Sequence, residues 1–144
     1  MKITKKNIFL VLLILSIILF SGYYVLPYLR SDEITPGKVV YQRPAYDKLP
    51  WDIKNWIEDS KELFLSQKRV FGGKTYILVT WGRKSTAGYS VKIEEVFINN
   101  KLEASVSVFF ESPPADSMVA QVLTFPYDLI VIDYEVKEIE FRWK

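Results

Sequence analysis

The sequence predicts a mainly β fold: an antiparallel β-sandwich or partly closed barrel of about six strands with one flanking helix, preceded by a single N-terminal transmembrane helix. Three observations carry this. Residues 8–29 are apolar and hold no charged side chain. From residue 74 onward, apolar side chains fall into short runs, several with period two, broken by turn residues. Strand-forming aromatics are abundant, with nine Tyr, nine Phe and four Trp in 144 residues, and such side chains bury large areas in a small core.

The first element is the membrane span. A helix needs roughly 20 apolar residues to cross the hydrocarbon layer, and residues 8–29 meet that length. Lys2, Lys5 and Lys6 form a basic tip over residues 1–7, and Tyr23, Tyr24 and Tyr28 gather at the far end, where interfacial aromatics belong. Lysines on the N-terminal side predict a single-pass cell-membrane protein with its N-terminus cytoplasmic and its C-terminal domain extracytoplasmic. The alternative is secretion after signal cleavage, since residues 8–20 have the length of a signal core. A cut after Gly22 would set Phe20 where a small residue is wanted, which favours an uncleaved signal-anchor.

Residues 30–48 contain Pro36, Gly37, Pro44 and many charges, and read as a linker. The extracytoplasmic domain is expected over residues 49–144. It opens with a helix: Pro50 suits a first turn, Asp52 complements the helix dipole, and Ile53, Trp56, Ile57 and Phe64 approximate a stripe. This reading ends the helix before Gly72-Gly73. The run "KTYILVTWG" follows as a strand buried on both faces.

In "GYSVKIEEVFI", Tyr89, Val91 and Ile93 face one way, but Val96 and Ile98 have the opposite parity, so a β-bulge is expected at Glu94-Glu95. Asn99-Asn100, both tolerant of positive φ, predicts a tight turn into Leu102, Ala104, Val106, Val108 and Phe110. Ser112-Pro113-Pro114 must be loop. Strands are then read at residues 118–125, 129–133 and 139–143.

Composition narrows the chemistry. With no His and no Cys, imidazole bases, thiolate nucleophiles, disulfides and most zinc or copper sites are excluded. All 17 acidic residues lie beyond the apolar run, so from residue 31 onward no basic face emerges and nucleic acid is not an expected partner. The Gly-Lys-Thr at residues 73–75 lacks the upstream glycine and following helix of a phosphate-binding loop, which leaves a turn into a strand. Ser90 with Lys92, and Lys84 beside Ser85, lie in stretches that read as solvated, where a lysine is not activated. Carboxylates at Glu94, Glu95, Asp128, Asp133 and Glu135 form no calcium-loop or acid–base spacing. The expectation is a protein-binding module rather than an enzyme, with no cofactor, no metal and no small-molecule substrate.

The polar loop "GRKSTAGYSVKI" is the most distinctive stretch. Together with "KTYILVTWG", the Pro-Pro loop and "QVLTFPYDLIVI", it resembles the C-terminal domain of the PrcB family of bacterial protease-complex subunits. The resemblance rests on Tyr76, Gly82, Thr86, Gly88, Tyr89, Val91, Ile93, Pro113, Pro114, Gln121, Thr124, Pro126 and Tyr127. It implies a non-catalytic accessory or stabilising subunit of an exported, subtilisin-like protease. Ala87 stands where the family often has glycine, and "PPADSM" lacks the glycine common after the proline pair. The loop is also similar to that of chagasin-type protease inhibitors, without the Asn-Pro that precedes it there. Inhibitor, or structural cell-envelope module, is therefore the alternative. Within the motif, Gly82, Gly88, Tyr89, Val91, Ile93, Gln121, Pro126 and Tyr127 are read as defining the fold. Arg83, Lys84, Ser85, Thr86, Pro113 and Pro114 are read as the candidate contacts to an exported protease or other envelope protein.

Overall fold

In the computed structural model, residues 36–144 are described. The span read at residues 8–29 and the tip before it lie outside them. The elements are β1 (Gly37–Lys38), a 3-10 turn (Tyr46–Lys48), α1 (Trp51–Ser60), β2 (Phe64–Phe71), β3 (Lys74–Trp81), β4 (Ser90–Ile98), β5 (Glu103–Glu111), β6 (Tyr127–Ile132) and β7 (Glu138–Trp143). They form a four-stranded sheet, β1-β4-β5-β7, and a three-stranded sheet, β2-β3-β6. The mainly β reading with one flanking α-helix is borne out; the sheets do not close into a barrel. One pair departs from the antiparallel expectation: β7 runs parallel to β5. The chain reaches β7 from β6 of the other sheet, so hairpin geometry does not set its direction.

The helix is shorter than the sequence stripe implies. Ile53, Trp56, Ile57 and Ser60 are its buried residues, spaced i, i+3, i+4 and i+7, and it stops there. Residues 64–71 are not helical but form β2, all eight paired with β3. Gly72 and Gly73 explain this, because their φ values of 60° and 74° make a two-residue hairpin turn. An extended β2 thereby satisfies one whole edge of β3, which a helix could not do.

β3 is central, and Thr75 to Thr80 are all buried. Its even-numbered face packs Tyr76 and Leu78 with Leu49, Ile53, Trp56 and Ile57 from the helical side and Leu129 and Val131 from β6. Its odd-numbered face turns to the other sheet, where Ile93, Val96, Val106 and Val108 are fully buried. Thr75 and Thr80 are tolerated inside because each hydroxyl is bonded. Thr75 Oγ1 donates to Tyr134 O and accepts from Val136 N, both at 2.8 Å, and Thr80 Oγ1 donates to Leu63 O.

The bulge expected at Glu94-Glu95 is present, as a register shift between Ile93 and Glu95. Its irregular backbone is held by side chains from distant segments. Asp128 Oδ2 accepts from Ile93 N at 2.7 Å, and Tyr41 Oη donates to Ile93 O and Glu94 O at 3.1 and 2.8 Å. Arg43 donates to Ile93 O and pairs with Asp128 at 3.0 Å. Part of the segment read as linker thus packs on the domain: Val39 is buried and Gln42 bridges Val131. The β4–β5 hairpin also forms as read, except that the positive φ falls on Leu102 (65°), not on Asn99 or Asn100. Asn99 instead accepts from Lys101 N and Glu103 N through Oδ1, an Asx-type closure.

Candidate functional site: a loop cluster at one end of the sandwich

The polar motif, the Pro-Pro loop and the segment before β6 meet at one end of the sheets. Residues 118–125, expected as a strand, are irregular and touch the motif through discrete bonds. Lys84 and Thr124 exchange backbone hydrogen bonds at 2.9 and 3.0 Å, and Ala87 N donates to Ala120 O at 3.0 Å. Thr124 Oγ1 donates to Thr86 O at 2.9 Å. Apolar side chains of both parities (Met118, Val119, Val122, Leu123, Phe125) explain why no one-sided strand forms there.

Two glycines fix the path. Gly82 has φ +70°, and a Cβ there would lie 3.2 Å from Glu62 O and 3.3 Å from Phe64 N, so the motif begins pressed against the backbone entering β2. Gly88 has φ +93°, and its Cβ would lie 2.9 Å from Pro113 Cβ. The turn glycine and the proline pair, 25 residues apart in sequence, interlock. Ser117 closes the Pro-Pro loop by donating from N and Oγ to Pro114 O at 3.0 and 2.7 Å.

Tyr89 packs edge-on against Trp81, with ring centroids 5.3 Å apart. The Lys84 ammonium lies 4.3 Å from the Trp81 centroid and 5.3 Å from that of Tyr89, a cation–π arrangement that fixes the side chain over the rings. Val91 and Ile93 are buried in β4. Pro126 O accepts from Trp81 N at 2.9 Å. Tyr127 opens β6 opposite Thr80, and burial pushes its phenol above the ordinary range, with the Glu58 carboxylate adding to the effect. Gln121 is exposed.

Of the candidate contacts, Arg83, Ser85 and Pro114 are exposed, while Lys84, Thr86 and Pro113 are half-buried and engaged within the cluster. Beside them the structure exposes three apolar residues that sequence reasoning did not select: Met118 fully, and Val122 and Leu123 by about half. Their signal was present in the apolar residues of both parities, which a half-buried strand would not carry. A second group also went unread. Phe64, Trp81, Phe110 and Trp143 pack with centroid separations of 5.0 to 6.0 Å across the gap between the sheets. Among the described residues, no three acidic side chains converge as a metal site would require.

Residues 75–133 match the family model described as PrcB C-terminal. The matched segment runs from β3 through β6 and contains all three parts of the loop cluster. The family resemblance carried by the motif residues is therefore shown over that segment. No curated protein and no solved structure gives a significant match to the chain.

Proposed function

We propose that this chain is a non-catalytic accessory subunit of an exported, subtilisin-like protease, gripping its partner through the loop cluster. The observation that carries the reading is the family match, whose segment is the one that builds the cluster. Exposed Met118, Val122 and Leu123, on the segment bonded to the loop that carries Arg83 and Ser85, supply apolar surface with polar neighbours, the usual make-up of a protein-binding surface. The absence of His and Cys from the sequence supports a binding role over catalysis. An anchor at residues 8–29 would hold the subunit at the cell membrane with the domain extracytoplasmic.

Binding that stabilises the protease fits the loop better than inhibition by insertion into a cleft. The Thr86–Tyr89 turn is pinned by Ala120, Thr124, Pro113 and Trp81, so it does not project as a free finger. The test is crosslinking in intact membranes, followed by recovery of the full chain. A protease should be captured by the wild type and lost on joint Met118→Asp and Leu123→Asp substitution, and its lifetime should lengthen with activity retained when the subunit is present. Recovery of no protease, or a captured protease that has lost its activity, would refute the reading.

A further inference from the structure

Each sheet has two edges; two of the four are closed to a second strand and a third carries two adjacent cations. β1 is two residues long. β6 has Gln42 seated on its outer side, exchanging backbone hydrogen bonds with Val131 at 3.0 and 2.9 Å. β2 carries adjacent Lys68 and Arg69 at its middle, so self-pairing centred on either would set like charges together. These are the ordinary protections of an edge strand.

β7 is neither short nor covered, and its charges are of both signs. Lys144 N donates to Val108 O, so the even-numbered residues of β7 turn their backbone groups to β5. The alternation of a strand then leaves the N–H and C=O groups of Ile139, Phe141 and Trp143 facing outward from the sheet edge. The side chains follow a second pattern. Ile139, Phe141 and Trp143 share the face of Ala104, Val106 and Val108, their register partners on β5, while Glu138, Glu140 and Arg142 point to the other face.

We propose that β7 pairs with β7 of a second copy of this chain, antiparallel about a two-fold axis at Phe141. In that register Glu140 lies opposite Arg142 of the second copy, and Glu138 opposite its Lys144. Every charge on the outer face meets its opposite, twice over by symmetry. On the inner face Phe141 meets Phe141, and Ile139 meets the half-exposed Trp143. The backbone agrees, because Phe141 is one of the residues whose hydrogen-bonding groups face the edge, as the central pair of an antiparallel ladder requires. A register centred on Glu140 would oppose two carboxylates instead. Within one chain Arg142 is paired only with exposed Glu140, Lys144 only with Glu94, and Glu138 has no ion-pair partner among the described residues. These charges are thus available to a second strand at little cost.

The native chain contains no cysteine, which makes the test clean. In the proposed register the two Phe141 Cα atoms stand about 5.5 Å apart, within the range of about 4.4–6.8 Å that a disulfide spans. The full chain bearing Phe141→Cys, oxidised in its own membranes, should run at twice its 16.8 kDa mass on a denaturing gel. Ile139→Cys and Glu140→Cys should not. Adding Glu140→Arg or Arg142→Glu to the Phe141→Cys chain should reduce the crosslink at least tenfold. Co-expressing those two charge variants should restore it as a mixed dimer, since all four cations then face carboxylates; restoration also shows that both variants fold. No crosslink at position 141, an equal crosslink at 140, or indifference to charge reversal would overturn the proposal.

Discussion

Removing the Asp128 carboxylate should destabilise the domain far more than an ordinary surface change. Its side chain is 12% exposed, and it serves two partners at once, the Ile93 amide in the bulge and the Arg43 guanidinium. In Asp128→Ala the amide loses its acceptor at the point where the β4–β5 ladder is interrupted, at a cost of about 1–3 kcal/mol. Arg43 loses its ion pair, but at 40% exposure it is partly rehydrated, so this adds less than the 3–5 kcal/mol typical of a fully buried pair. Together the loss should be about 2–4 kcal/mol, or a fall in melting temperature of roughly 10–20 °C for a domain of this size. Asp128→Asn keeps an oxygen for the amide and loses only the charge, so about 1–2 kcal/mol is expected. Urea unfolding followed by tryptophan fluorescence measures both. A change below about 0.5 kcal/mol for the alanine variant, or equal losses for the two variants, would refute the idea that the carboxylate holds the bulge.

Gly88→Ala should cost about 2–3 kcal/mol, since it combines a backbone angle that L-residues resist with a Cβ pressed on Pro113; an unchanged urea midpoint would show that the two loops are not interlocked. Acid should weaken the fold in part through Glu58 and Glu95, whose pKa values are held below the ordinary carboxylate range chiefly by hydrogen bonds from Lys61 and Lys38. A depressed folded-state pKa gives stability that is fully present above the unfolded value near 4.3 and is lost as pH falls through the folded one. Both pairs are exposed, so this loss should be small and should shrink in high salt; a salt-independent acid transition would place its cause elsewhere.

What the sequence made legible was local. The buried run of β3, the parity change that marks the bulge, and the Asn99-Asn100 hairpin each sit within a dozen residues, and each is read from side-chain alternation or turn chemistry. β2 was hidden because an edge strand with Phe64, Leu65, Val70 and Phe71 apolar at its two ends and Lys68-Arg69 between them shows no period of two. Residues 118–125 misled for a different reason: Met118, Val122 and Leu123 stay exposed, and a few specific hydrogen bonds to the motif replace a ladder. The strut on the bulge joins Arg43 to Asp128 across 85 residues, and no local pattern announces that pairing. In the candidate site, the glycines and the buried motif residues were readable because positive φ and strand alternation have sequence signatures. The exposed apolar trio showed in the sequence only as apolar residues of both parities; that they stay exposed is decided by what the rest of the chain leaves uncovered.

The parallel docking of β7 has a consequence for assembly. Trp143 ends β7 beside Phe64 and Phe110, at the same end of the sandwich as Trp81 and the loop cluster. Antiparallel pairing about Phe141 therefore places the two clusters of a dimer at opposite ends of one continuous sheet. The clusters would not compete for a partner, and each copy would bring one. The family match stops at residue 133, before β7 begins, so in the proposed arrangement partner binding and self-association would rest on different parts of the chain. They are then separable: a charge reversal at Arg142 should halve the number of partners carried per assembly while leaving the affinity of each cluster unchanged. Loss of partner affinity in that variant would mean that the two surfaces are one.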